Sequence, residues 1–398
     1  VHGSRSRAST RREPSPPDDR PAAESNPFDA PGRDAPVHRI QLDNTVFEGE
    51  NAVYLIEAGQ TTLVDTAVAT PAVRADLEAG LERHSVGFAD IDTVVLTHWH
   101  PDHAGLAGAI QAESDARVVV HADDAPIVDG SEQPLTADPA QQRETFTAWG
   151  MPAAARERLQ SFFESAATGL VERDPTVTPV EDGDIVDLGG VTLETVHLPG
   201  HTAGLCGFAF DPAVVGAVDP IGDGRPSDDH TSDDRPSDGR PSDEPARSAI
   251  FTGDALLPRY TPNVGGADVR VEDPLATYAA SLARLVDRDP AVAYPGHRDR
   301  IDEPGRRAAE ILAHHRERTG RVIDVLDRGP ATAWEVSAAL FGDLEGIHVL
   351  HGPGEAFAHL DHLAGAGVAE RNEATYRLVE STPDVDALFP ATRLDDAV

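Results

Sequence analysis

His98-Trp99-His100-Pro101-Asp102-His103 packs three imidazoles and a carboxylate into one short segment. It follows the apolar run Thr93-Val94-Val95-Leu96, whose length and β-branched content predict a buried strand. Ala104-Gly105-Leu106-Ala107-Gly108-Ala109-Ile110 comes next and reads as the start of a small-residue helix. The ligand-type side chains therefore fall on a strand-to-helix turn. Groups of this kind repel one another at such spacing unless a cation lies among them. Imidazole nitrogen and carboxylate oxygen suit zinc, iron or manganese.

The chain has 398 residues, long enough for more than one domain. Its 69 Asp and Glu outnumber its 33 basic residues, for a formal net charge of −36. No lysine occurs, so every basic side chain is arginine. Such a surface holds water and counterions, and salt screens its self-repulsion, so the composition predicts a protein that works in concentrated salt. The same acidity speaks against a nucleic-acid partner. At molar salt, however, the screening length is only about 3 Å, so charge alone does not exclude one. The single cysteine, Cys206, allows no internal disulfide and reads as a small buried side chain. No apolar stretch is long enough to span a bilayer, and the expectation is a soluble cytoplasmic protein with no membrane partner.

Residues 1–36 are rich in Arg, Ser, Pro and Asp and read as a disordered extension. Short apolar segments at 46–58 and 61–67 predict paired strands, and 70–84 predicts an amphipathic helix. Val118-Val119-Val120 is a further strand, ending at His121, which reads as a surface residue as readily as a functional one. Residues 134–172 carry helical patterning with Trp149, Met151, Phe162 and Phe163, as a packed helix pair or as a lid. Strands resume at 176–180, 185–188 and 191–198. Residues 211–248 hold an Arg-Pro-Ser-Asp repeat at 225, 235 and 240 and read as a disordered acidic insertion. Phe208-Ala209-Phe210 and Ala249-Ile250-Phe251 would flank it as strands. Beyond His297, helices are expected at 306–327, 332–341 and 353–365, then a hairpin around Asn372-Glu373. Three helices and a hairpin describe a winged-helix-like module at 305–385, with Trp334 and Phe341 as its core and 386–398 as a tail.

Further ligand-type residues stand at predicted strand ends beside glycine. They are His201 in Pro199-Gly200-His201, Asp254 in Thr252-Gly253-Asp254, and His297 in Pro295-Gly296-His297. With Asp65 and the His98–His103 cluster, in this order, the chain resembles the metallo-β-lactamase superfamily on its glyoxalase II-like branch. The likeness spans about residues 40 to 300, and the catalytic domain is placed at 37–304. One departure is Asp65-Thr66-Ala67, where the family often has Asp-Thr-Gly.

The resemblance implies an α/β fold, a four-layer αββα sandwich, with the winged-helix-like module appended. It implies two metals, zinc in the first instance and iron or manganese otherwise. His98, His100 and His201 would bind one, Asp102, His103 and His297 the other, and Asp254 would bridge them. Asp102 and Asp254 would also be catalytic. Asp65 and Thr97 would act one layer out, by orienting ligands. A metal pair lowers the pKa of a shared water and polarises a carbonyl or phosphoryl oxygen.

Arg259, Tyr260 and Asn263 follow Asp254 closely and are candidates to bind a substrate carboxylate or amide, with loop packing as the alternative. His314, His315, Arg316 and Arg318 read as one face of the long helix. Glu355, His359, Asp361 and His362 lack the character of a DNA-reading helix, which leaves the module as a wall of the substrate cleft or a homodimer surface. The expected reaction is hydrolysis of a small ester or thioester. The alternatives are an RNA-cleaving phosphodiesterase and a di-iron redox protein. No Gly-x-Ser-x-Gly nucleophile motif competes.

Overall fold

The computed structural model describes residues 37–42, 49–166, 170–215, 247–379 and 382–395. The N-terminal extension and most of the 211–248 insertion lie outside them. Two sheets face each other. The first contains β1 (Val37–Gln41), β2 (Ala52–Ala58), β3 (Gln60–Val64), β4 (Thr93–Val95), β5 (Arg117–His121) and β6 (Val177–Val180), in that order. Pairing is antiparallel from β1 to β3 and parallel from β3 to β6. The second holds β7 (Ile185–Asp187), β8 (Thr192–His197), β9 (Cys206–Phe210), β10 (Ala249–Gly253) and β11 (Val292–Pro295), in reverse order.

Both faces of each sheet are covered, which is why the strands are apolar at successive positions and do not alternate with polar residues. In β5, Val118 and Val120 face outward to α1 (Pro71–Glu82), α2 (Pro101–Ala104) and α3 (Ala107–Ser114), while Val119 faces inward. The inner layer is aromatic, with Tyr54, Phe208, Phe210, Phe251 and Tyr294 in contact. Beyond β5 come three helices, α4 (Ala125–Val128), α5 (Pro139–Ala148) and α6 (Ala153–Ala166), and after β9 comes one turn, α7 (Pro212–Val215). The outer face of the second sheet is covered by α8 (Pro274–Arg288) and α9 (Pro304–Leu326). Leu275, Tyr278, Ala279, Leu282, Leu285 and Val286 form the buried stripe of α8, at helical spacing. The result is the four-layer αββα sandwich.

The C-terminal module grows out of α9, whose Ile311 and Leu312 pack on the sandwich and whose Val322 and Leu326 pack in the module. It adds β12 (Ala331–Thr332), α10 (Ala333–Phe341), α11 (His348–Gly365) and the hairpin β13 (Ala369–Asn372) with β14 (Thr375–Leu378). Thr332 and Glu335 form a capping box that sets the start of α10.

Several expectations are corrected here. α11 begins at His348, so Pro353 lies inside the helix and not at its start. A proline within a helix forfeits one backbone bond, and burial of α11 on both sides supplies enough packing to carry the pattern through. The module core is Val336, Val349, Leu350, Leu360, Leu363 and Tyr376. Trp334 is only partly buried at its margin, and Phe341 stands on a cavity wall. Helices α5 and α6 are packed, not free: Phe146, Trp149, Met151, Leu159 and Phe163 complete that same core. The Trp334 amide bonds to the Trp149 carbonyl at 2.9 Å. His121 is buried and stacks on His197, with ring centroids 3.9 Å apart. Residues 386–395 also pack: Phe389 is buried against the α8–α9 layer.

Candidate metal centre

Four strand ends meet at one edge of the sandwich. β4 leads into His98–His103, β8 into the His201 turn, β10 into Asp254 and β11 into His297. Backbone bonds stitch the two sheets together there. The Cys206 amide donates to the Thr97 carbonyl at 3.0 Å, and the Ala52 amide to the Gly296 carbonyl at 2.8 Å. Gly296 has no room for a side chain, because a Cβ would lie 2.4 Å from the His103 ring.

The side chains converge there. His98 Nε2 and His201 Nε2 each lie 3.0 Å from His100 Nδ1. His297 Nε2 is 3.4 Å from both Asp102 Oδ2 and Asp254 Oδ2. His103 Nε2 is 3.5 Å from Asp254 Oδ1 and 3.8 Å from Asp102 Oδ2. Asp254 also reaches the first group, 3.7 Å from His201 Nε2. All are buried except His100, which is partly exposed.

The residues fit a pair of cations. Three of their inward atoms, His103 Nε2, His297 Nε2 and Asp254 Oδ1, are buried and have no hydrogen-bond partner. Buried polar atoms are rarely left so. A tetrahedral zinc with bonds of about 2.0–2.1 Å holds its ligand atoms roughly 3.3 Å apart, which matches these separations.

The opposite nitrogen of each of these five imidazoles is held from behind. Asp65 Oδ2 lies 2.9 Å from His103 Nδ1, the Gly49 carbonyl 2.7 Å from His297 Nδ1, and the Asn263 carbonyl 2.8 Å from His201 Nδ1. The Ala267 carbonyl is 3.2 Å from His100 Nε2, and Thr97 Oγ1 is 3.0 Å from His98 Nδ1. An N–H donated outward leaves the inner lone pair free for a metal. Asp65 also accepts the Thr97 amide at 2.8 Å and its hydroxyl at 2.9 Å, so one carboxylate fixes both the turn and a ligand.

The electrostatics divide the site. Burial and the neighbouring imidazole of His201 lower His100 to about 4, and burial with His103 and His100 holds His98 well below the usual histidine range. Burial also opposes charge on His103, but Asp254, Asp102 and Asp65 outweigh it and raise this imidazole to about 10. Burial opposes charge on His297 too, and Asp254 and Asp102 overcome it to drive that imidazole well upward. Burial disfavours charge on Asp254, yet His297 and His103 hold it well below the ordinary carboxylate range. Two carboxylates in a dry site thus demand positive charge, from protons or from metal.

A second group, missed in the sequence, braces the loops. Asp124 accepts the Trp99 amide at 3.2 Å, the Thr202 hydroxyl at 2.8 Å and the Gly204 amide at 2.9 Å. Asp268 accepts the Trp99 indole N–H at 3.2 Å and the Ala203 amide at 3.1 Å. Arg270 bridges both carboxylates, at 2.8 and 2.7 Å. Burial and Asp268 raise Asp124 to about 6, against the pull of Arg270. The turns of His98–His100 and His201 are thereby tied to each other. Asp124 and Asp268 stand in ordinary turn contexts in the sequence, and only the third dimension pairs them.

Of the candidate substrate contacts, Arg259 and Tyr260 are exposed, Tyr260 at 56%. The Asn263 amide is engaged internally: it donates to the His351 carbonyl at 3.1 Å and to Glu355 at 3.3 Å, and accepts the Gly266 amide at 3.1 Å. All three line a cavity of about 820 Å³ between this loop and helices α9–α11. Cys206 is fully buried, and burial pushes its thiol well up.

The metallo-beta-lactamase superfamily sequence pattern matches residues 46–218. A crystal structure of a metallo-beta-lactamase family protein from Thermus thermophilus superposes with a TM-score of 0.66 at 28% identity, over 86% of this chain and 98% of that one. Residues 46–218 form a metallo-β-lactamase superfamily domain. The chain is a metal-dependent hydrolase. The superfamily likeness extends to a probable metallo-hydrolase, YqjP, of Bacillus subtilis, 26% identical over 332 residues, 82% of this chain and 92% of that protein. It extends also to an atrochrysone carboxyl ACP thioesterase of Emericella nidulans, 23% identical over 70% of this chain and 63% of that protein. Among the described residues, no helix is long and apolar enough to cross a membrane.

Proposed function

We propose that this chain hydrolyses a small ester or thioester at a two-zinc centre. His98, His100 and His201 would hold one ion and Asp102, His103 and His297 the other, with Asp254 in reach of both groups. The observation that carries this reading is the set of buried, partnerless atoms of His103, His297 and Asp254 facing one point. Bound there, the ions supply the Lewis acidity that activates water and polarises a carbonyl.

The protein's own groups do the rest. Asp65, Asn263, Gly49 and Ala267 hold the outer nitrogens of His103, His201, His297 and His100, so each inner nitrogen stays oriented toward the centre. With two carboxylates against five neutral imidazoles, the protein's own groups would leave a pair of divalent ions net positive, the charge an oxyanion needs. Asp102 faces the same space and would take a proton from the attacking water and pass it to the departing group. Likeness to a named thioesterase supports the choice of scissile bond. The C-terminal module, residues 305–385, walls the cleft through α9–α11.

Metal analysis should find two zinc per chain. A panel of thioesters, esters, phosphodiesters and short RNAs should show turnover of the first two only; cleavage of RNA alone would overturn the reading. His100→Ala should abolish hydrolysis and lose a metal equivalent with the fold intact. Undiminished activity and metal content in that variant would remove the ligand assignment.

A further inference from the structure

The cavity beside the metal centre has a charge at odds with the rest of the molecule. The chain carries a formal charge of −36. The wall of this one space carries four guanidiniums, Arg259, Arg298, Arg307 and Arg318, against two carboxylates, Glu310 and Glu355. Both carboxylates are already engaged. Glu310 pairs with Arg306 and Arg307 at 3.3 Å each. Glu355 pairs with Arg318 and accepts from Asn263.

Not all the donors are used. Arg307 is committed to the carbonyls of Leu257 and Tyr260, at 2.7 and 2.8 Å, and so shapes the loop. Arg259 is exposed and has no partner among the described residues. Two buried nitrogens on the same wall, Arg318 Nε and His314 Nε2, lack a hydrogen-bond partner, as does one acceptor, Glu355 Oε1, which faces the Arg318 guanidinium. A buried donor without an acceptor is costly, and an incoming anion would satisfy it. Between these donors lie apolar side chains, Phe341, Leu344 and Ile347, with the Arg318 guanidinium 5.3 Å from the Phe341 ring centre.

Asn263 stands between the cavity wall and the metal centre. Its carbonyl holds His201, and its amide holds the His351 end of α11. Gly354 of α11 permits this approach, since a Cβ there would lie 2.3 Å from Gly266 Cα. A volume of about 820 Å³ falls within the range of sites for small molecules.

We propose that this cavity receives a substrate arm that ends in an anionic group, a carboxylate or a phosphate, bound by Arg259 at the rim and Arg318 further in, with the apolar stretch of the arm on Phe341, Leu344 and Ile347. The inference deepens the ester-or-thioester reading and rests on it for the scissile bond alone. Pairing at contact distance is required if the protein works in concentrated salt, because screening there acts within about 3 Å.

The test uses thioethers, which have no carbonyl to cleave. S-(4-carboxybutyl)-, S-(4-phosphonobutyl)- and S-pentyl-N-acetylcysteamine are titrated calorimetrically into the full chain as purified. At least one of the acidic arms should bind tenfold or more tightly than the pentyl arm, and the stronger of the two identifies the anion. Arg259→Ala, at an exposed position, should cut that advantage to less than threefold. Arg318→Gln should also cut it, with the unfolding temperature recorded alongside. Equal binding of acidic and neutral arms would overturn the proposal, as would an advantage that survives both substitutions. Displacement of the bound thioether by a short RNA would replace it with a polyanion site. Turnover of the neutral pentanoyl thioester is measured separately, so that failure of the hydrolase reading is seen apart from failure of this one.

Discussion

Two groups of buried histidines in this molecule are driven in opposite directions by their surroundings. At the metal centre, His103 and His297 lie against Asp102 and Asp254, and both are pushed far up despite burial. Where α9 meets α11, His315 and His359 lie 3.4 Å apart, with Thr319 Oγ1 2.8 Å from His359 Nδ1 and Tyr278 edge-on to His315. There burial, helped by Arg318, His314 and His362, holds both far down. Burial alone makes an imidazole a neutral packing group. Buried carboxylates beside it create a demand for positive charge that a metal can meet. His98 and His100, beside imidazoles in the same centre, are held low as well, so it is the carboxylate neighbours that set His103 and His297 apart.

The sharpest way to break the comparison is to remove one histidine from each place. His297→Ala should lower turnover by more than about 100-fold, beyond what loss of a ligand's outer partner causes, while leaving the unfolding transition nearly in place. His359→Ala should do the reverse. It leaves a cavity and an unsatisfied Thr319 hydroxyl, a loss of about 2–3 kcal/mol in chemical denaturation, with kcat little changed. If His359→Ala silenced the enzyme at unchanged stability, the division would be wrong.

Asp65→Asn probes the metal side more gently. It removes the charge that fixes His103 and should weaken metal binding about 10- to 100-fold by chelator competition.

Acid and base should separate the two regions again. The unfolded value of histidine is about 6.5. His315 and His359 are depressed when folded, so their contribution is present above about 6.5 and is lost as pH falls below it. His103 is raised to about 10, so in metal-free protein its contribution is present below about 6.5 and is lost as pH rises through 10. Denaturant titrations of metal-stripped protein should therefore weaken at both ends. Asp65→Asn should flatten the alkaline limb, and His359→Ala the acid limb. Metal uptake near neutral pH should release protons, detectable as a buffer-dependent heat.

The smallest effect is expected at Ala67, buried with φ of 65°. A glycine there relieves about 1 kcal/mol of left-handed strain and gives up a buried methyl worth about 0.8 kcal/mol. Ala67→Gly should shift stability by less than about 0.5 kcal/mol.

Much of the metal side was legible in the sequence because its residues announce themselves locally. His98 to His103 lie in one turn, and His201, Asp254 and His297 each follow a strand and flank a glycine. The strands were legible because both sheets are covered and so leave unbroken apolar runs. What escaped depends on pairings that no local pattern encodes. Asp124 and Asp268, both buried, join the half-buried Arg270 in a triad across 146 positions of chain. Phe341 has the hydrophobicity of a core residue, yet it faces the cavity below Arg318. His121 could not be placed from sequence because nothing nearby reveals the His197 ring that covers it.

The β9–β10 pairing sets Phe210 directly opposite Ala249. The long acidic connector therefore departs and returns at a single point. That point is the start of β10, whose other end carries Asp254, roughly 15 Å away by the rise of a five-residue strand. The molecule thus has a natural port for cargo. A fluorophore or a fused partner spliced there would be attached at the end of β10 away from Asp254.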